Sequence, residues 1–126
     1  LDESVEFCNN LKNKNISPIL LVAPNTSEKR IKKISKLAGD LIYAVSILGI
    51  TGNDLSSKNN LKNYLAKVKD NSETPFMVGF GISTNDDVNW FNSFSDGAVV
   101  GSAVIKKVLK DTKKGVVENF VKNLKK

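Results

Sequence analysis

Histidine is absent from this sequence. That removes Ser-His and Cys-His pairs, in which an imidazole takes the proton of the attacking atom. Cysteine occurs once, at Cys8, so no internal disulfide forms and a zinc site lacks its usual sulfur and nitrogen ligands. A lone cysteine fits a reducing compartment, and its helix-periodic apolar setting reads as packing rather than as a reactive thiol. No apolar run reaches the roughly 18 residues of a membrane span. The first residues carry no charged, apolar and small-residue series of the signal-peptide type. A cytoplasmic location is expected.

What is present suits one domain: 126 residues, 40% hydrophobic and 25% charged. The net charge of +6 raises the question of a nucleic-acid partner. The lysines, however, are spread over "EKRIKKISK", "VIKKVLKDTKK" and "FVKNLKK" at spacings that leave apolar residues on the opposite helix face. No aromatic-studded basic strand accompanies them, so they read as solvated helix faces.

The apolar periodicity predicts an ordered series of elements. Residues 3–14 place Val5, Cys8 and Leu11 on one helical face. "ISPILLVAP" (16–24) has strand length, and Asn25, Thr26 and Ser27 offer caps for a helix carrying Ile31, Ile34 and Leu37 inward, ended by Gly39. "DLIYAVS" (40–46) is a second strand. "ILGITGNDLSS" is a loop, and 58–70 a helix with Leu61, Leu65 and Val68 inward. "TPFMVGFG" (74–81) is a third strand, and "STNDDVNWFNSF" a short helix in which Trp90 and Phe91 pack. "DGAVVGSAVI" begins as a fourth strand and turns helical near Ser102, and a last amphipathic helix covers about 112–125. The order is α, then four βα units, then α. Strands apolar on both faces and separated by helices indicate a parallel sheet. Two architectures fit, a small doubly wound sheet or part of a (βα)8 barrel. A barrel takes about 250 residues, so these residues would supply half of one.

Both architectures bind ligands at the carboxyl ends of the strands. Those ends read "APNTS", "SILGITGND", "GFGIS" and "VVGSAV", and three of the four carry glycine. Two of them run from glycine into serine and a helix start, where backbone N–H groups favour an anion and a Cβ would block its approach. Glycine at one strand end often makes only a turn, but three in register on neighbouring strands point to a phosphate site. Gly81, Gly101 and Ser102 are the expected donors, with Gly52 contributing from the preceding loop. Tyr43, inside the second strand, reads either as a core tyrosine or as a residue facing the ligand.

Carboxylates are poorly placed for chemistry. Asp40 and Asp96 precede strands, Asp54 sits in a loop, and the others fall on helices or connections. No pair projects from strand ends as acid–base catalysis requires. The sequence is better equipped to bind than to catalyse.

"LIYAVSILGITG", "PFMVGFGIS" and "DGAVVGSAVIK", in this order and spacing, closely resemble the alpha chain of tryptophan synthase. "SPILLVAPNTSEKRI" is similar to that family's fifth strand and following helix. The resemblance covers residues 1–126 as a single unit, the C-terminal half of a TIM (βα)8 barrel, strands five to eight with their helices. It implies retro-aldol cleavage of indole-3-glycerol phosphate to indole and glyceraldehyde 3-phosphate in tryptophan biosynthesis. It assigns the substrate phosphate to Gly52, Gly81, Gly101 and Ser102. Tyr43 is then an assisting residue near the general acid/base, Thr51 belongs to a closing loop, and Phe80 lies beside the indole pocket. The family's catalytic Glu and Asp belong to the N-terminal half, so no catalytic carboxylate and no metal ligand is expected here.

The resemblance further implies that the alpha chain uses no cofactor, and that indole passes to a beta chain carrying pyridoxal phosphate. The expected partners are that beta chain and an N-terminal half-barrel. An alternative is a stand-alone half-barrel that self-associates through its open strand edges and binds phosphate ligands without catalysis. Another phosphate-binding barrel enzyme is disfavoured by the "YAVSxxGxTG" pattern, which is the more specific feature.

Overall fold

The computed structural model describes residues 2–46 and 55–125. The order of elements is α1 (Asp2–Asn13), β1 (Leu20–Val22), α2 (Glu28–Leu37), β2 (Ile42–Val45), α3 (Leu55–Asn71), β3 (Phe76–Gly79), α4 (Asn85–Asn92), β4 (Gly97–Val99), α5 (Ser102–Lys110) and α6 (Val116–Leu124). The four strands form one parallel sheet in the order β1-β2-β3-β4.

The core lies on one face of that sheet. Ile42 and Ala44 of β2 are buried while Tyr43 and Val45 between them are only half-buried, as the two-residue period of a strand dictates. Val22, Phe76 and Val78 join the buried side, where they meet Ile31 and Ile34 of α2, Leu61, Tyr64, Leu65 and Val68 of α3, and Phe91 of α4. A doubly wound sheet would reverse its strand order at a switch point and take helices on both faces. Strictly sequential strands with the helix layer on one side are instead the wall of a (βα)8 barrel.

The end of the sheet at the strand starts is closed by hydroxyls and one carboxylate. The buried Ser35 hydroxyl accepts from the backbone N–H groups of Glu73 and Thr74, at 3.1 and 3.2 Å, and fixes the connection from α3 into β3. Asp96 accepts from the Phe76 N–H at 2.9 Å, tying the start of β4 to that of β3. This carboxylate serves stability, as its position ahead of a strand predicts.

Two expectations are adjusted. The apolar run 16–24 forms a ladder only over Leu20–Val22, because Pro18 and Pro24 have no N–H to pair. In α1, Cys8 is buried as expected and Leu11 half-buried, but Val5 is exposed.

Candidate functional site

A cavity of about 200 Å³ opens at the carboxyl ends of β2, β3 and β4, lined by Tyr43, Phe80, Gly81, Ile82, Val99, Gly101 and Ser102. A hollow of about 410 Å³ elsewhere is framed by Lys12, Asn15 and Asp40 ahead of β2, away from the strand termini that bind ligands in this architecture. Five residues singled out from sequence, Tyr43, Phe80, Gly81, Gly101 and Ser102, therefore meet around one space. Thr51 and Gly52 lie outside the described residues.

The two glycine-to-helix motifs are not equivalent. After "GFGIS", α4 begins with a capping box: the Thr84 hydroxyl accepts from the Asp87 N–H, and the Asp87 carboxylate accepts from the Thr84 N–H at 2.9 Å. The same carboxylate takes the Ser83 N–H at 3.0 Å. Burial works against the ionised form of Asp87, but the hydrogen bonds from Ser83 and Thr84 outweigh it and hold the carboxyl below its ordinary range. The start of α4 thus carries its own anion. At α5 the position is reversed. Gly101 caps the helix without a side-chain hydrogen bond, and the first turn holds no acidic residue. Gly101 and Ser102, at the start of the helix where its dipole is positive, line the cavity.

Gly101 itself is bare for no internal reason. Its φ of −112° is open to any residue, and a Cβ built there meets nothing within 4 Å. The space it leaves is space for an incoming group. Gly79 is bare for the opposite reason: a Cβ there would run into the phenol of Tyr43.

Between these glycines the chain makes an unusual turn. Phe80 has φ 82° and Gly81 φ 77°, so two successive residues are left-handed. For phenylalanine this costs about 1–2 kcal/mol. The Phe80 ring is 62% exposed at the rim, meeting Tyr43 edge to face with centroids 6.3 Å apart. Tyr43, left open between two readings by the sequence, lines the cavity and also packs over Gly79.

Sequence reasoning missed Ser46, buried at the end of β2. Its hydroxyl lies 2.7 Å from the carbonyl oxygens of both Gly79 and Phe80. The signal available was a polar residue closing the apolar strand "LIYAVS". Tyr64 was missed too: its buried hydroxyl donates to the Val22 carbonyl at 2.9 Å and ties α3 to the end of β1. No carboxylate lines the cavity among the described residues. Nor, among them, do three His, Cys, Asp or Glu side chains gather to hold a metal ion, and no helix is long and apolar enough to cross a membrane.

Four sequential βα units, a one-sided helix layer and a glycine-lined cavity at the strand ends define part of a (βα)8 barrel with its site at the ligand-binding end. The pattern that describes the tryptophan synthase alpha chain matches residues 1–126, and the chain belongs to that family. The tryptophan synthase alpha chain of Petrotoga mobilis is 40% identical, over 98% of this chain and 50% of its own length. That of Bacillus velezensis is 44% identical, over 86% of this chain and 40% of its own. The solved tryptophan synthase subunit alpha from Campylobacter jejuni matches the fold with a TM-score of 0.83 at 28% identity, this chain being covered to 98% and that one to 50%. The chain spans about half the length of the curated relatives it matches.

Proposed function

We propose that this chain supplies the phosphate-holding half of a site that cleaves indole-3-glycerol phosphate to indole and glyceraldehyde 3-phosphate. The observation that carries the reading is the uncapped, acid-free start of α5 facing Gly81 across one cavity, in a chain of this family. Gly81, Gly101 and Ser102 hold the phosphate, Gly52 and Thr51 join them from the loop after β2, and Tyr43 and Phe80 border the indole end.

Retro-aldol cleavage moves protons: one leaves the glycerol hydroxyl that becomes the aldehyde, and one reaches the indole carbon that is released. The family's two catalytic carboxylates for these transfers belong to the N-terminal half of the barrel. General acid–base catalysis contributes about 10² to 10⁴ in rate, so these 126 residues alone are expected to give no useful turnover. The chain works without a cofactor or metal of its own, in the cytoplasm. Its partners are the N-terminal half-barrel and a beta chain whose pyridoxal phosphate chemistry consumes the indole.

The test is complementation. Mixing the purified chain with the N-terminal half of the Petrotoga mobilis relative should release indole from indole-3-glycerol phosphate, where neither half does so alone. A soluble, associated mixture that releases none overturns the reading.

A second reading, self-association without catalysis, is favoured by apolar exposure toward the two ends of the sheet. Ile19 and Leu21 near β1 are 52% and 61% exposed, and Ile105 and Leu109 of α5 are 60% and 80% exposed. The edge strands β1 and β4 each have one hydrogen-bonded neighbour. Sedimentation separates the two readings: a dimer that persists when the N-terminal half is added supports self-association, and one that exchanges for a mixed complex supports the half-site.

A further inference from the structure

We propose that Ser46 is a positioning residue for the anion site, acting by fixing the direction of the Gly81 N–H. The inference deepens the phosphate reading above and rests on it for the identity of the anion. The Gly79 carbonyl already accepts the Ser46 backbone N–H at 2.9 Å. The Ser46 hydroxyl lies 2.7 Å from both the Gly79 and the Phe80 carbonyl oxygens. Its single proton gains most at the Phe80 carbonyl, which has no other donor among the described residues, whereas the Gly79 carbonyl keeps a backbone donor either way. Phe80 C=O and Gly81 N–H belong to one peptide unit. That unit is trans, and in a trans peptide the carbonyl and the N–H point in opposite directions.

Holding the carbonyl toward buried Ser46 thus turns the Gly81 N–H away from the core. The side to which it turns is the cavity that Gly81 shares with Gly101 and Ser102. The hydrogen bond at the carbonyl also polarises the peptide and strengthens its N–H as a donor. Two successive left-handed residues make this peptide the place where the backbone has an alternative: a flip that returns Gly81 to negative φ would withdraw the donor. Ser46, through its hydroxyl, selects against the flip.

The experiment uses the 126-residue chain labelled with nitrogen-15, with inorganic phosphate as the probe. Residual dipolar couplings report the orientation of the Gly81 N–H without ligand, and a titration reports affinity. Ser46→Ala is expected to reorient the Gly81 N–H and to weaken phosphate about tenfold, the value of one lost hydrogen bond to a charged group. Amides of Gly101 and Ser102 should still respond. Ser46→Thr, which keeps the hydroxyl, should restore both orientation and affinity, a rescue that a merely space-filling role would not give. Should Ser46→Ala fail to fold, Ser46→Cys, of similar size and a weaker donor, is read in the same way.

A Gly81 N–H in the serine-less variant that superposes on the wild type overturns the proposal, whether or not phosphate binds. Wild-type amides that ignore phosphate overturn the phosphate reading instead, and the ligand-free orientation still decides the role of Ser46.

Discussion

The phenol of Tyr43 occupies the place that a Cβ on Gly79 would take, with its hydroxyl oxygen and Cζ both in the way. Tyr43 on β2 and Gly79 on β3 are therefore one packing unit, placed on neighbouring strands by the register that sets Tyr43 opposite Met77 and Val45 opposite Gly79. Gly79→Ala forces the ring out over the cavity, and overpacking of this kind costs about 1–3 kcal/mol. Tyr43→Phe should give no relief, since Cζ remains. In a Tyr43→Ala background the penalty of Gly79→Ala should fall below about 0.5 kcal/mol. Urea unfolding of the four proteins measures the coupling, and independent penalties would refute it.

Gly101 is expected to behave differently. Neither its backbone angles nor its neighbours demand glycine. Gly101→Ala should leave stability within about 0.5 kcal/mol of the wild type, the range of an uncomplicated surface change. Phosphate affinity, measured by calorimetry or amide shifts, should fall about tenfold as the methyl enters the approach to the helix start. A variant that binds phosphate normally would return Gly101 to the status of a turn residue.

The chain order of elements was legible because each is marked by its own period or cap. "EKRIKKISKL" carries three inward residues at helical spacing, and α5 begins at Ser102, directly after the glycine that caps it. The choice between a doubly wound sheet and a barrel wall was not legible from periodicity. Val22, Ala44 and Val78 are buried against helices while Leu21 and Tyr43 face the other side, yet all are apolar or aromatic in sequence. The site was legible as a set of glycines. What escaped was the difference between them: Gly79 yields to a side chain on another strand, and the anion-ready helix is α5 rather than α4. Ser46 escaped because a buried serine at a strand end looks like any loop-entry residue until its acceptors are known.

The capping box at α4 should leave an acid-pH signature. Asp87 has its carboxyl pKa lowered from the ordinary 3.8 by the Ser83 and Thr84 donors, against the opposing effect of burial. A depressed pKa contributes stability that is full above the unfolded value and is lost as pH falls through the folded value. The melting temperature should therefore decline below about pH 4, in part through this group. Asp87→Asn should be less stable at pH 7, by about 0.3–1 kcal/mol for the lost charge at the helix start, and its acid decline should be shallower. Parallel declines in the two proteins would assign the effect to other carboxylates.

Tyr64 makes the corresponding prediction at alkaline pH. Its hydroxyl is buried and donates to the Val22 carbonyl, at the strand end next to the loop that leads into α2. Burial raises its pKa well above the ordinary 10.0, and an opposing interaction with the Val45 backbone offsets only part of that. The folded state then holds a proton that the unfolded chain releases. Stability from this source is full below pH 10 and declines above it, by up to about 1.4 kcal/mol per pH unit. Tyr64→Phe removes a buried donor from the Val22 carbonyl and should cost about 0.5–1.5 kcal/mol at pH 7. The same variant cannot ionise, so its alkaline decline should be flatter by up to one proton's worth. Urea unfolding of both proteins from pH 8 to 11 separates this from lysine titration, which the two share. Equal slopes would mean that the phenol ionises without unfolding the contact between α3 and β1.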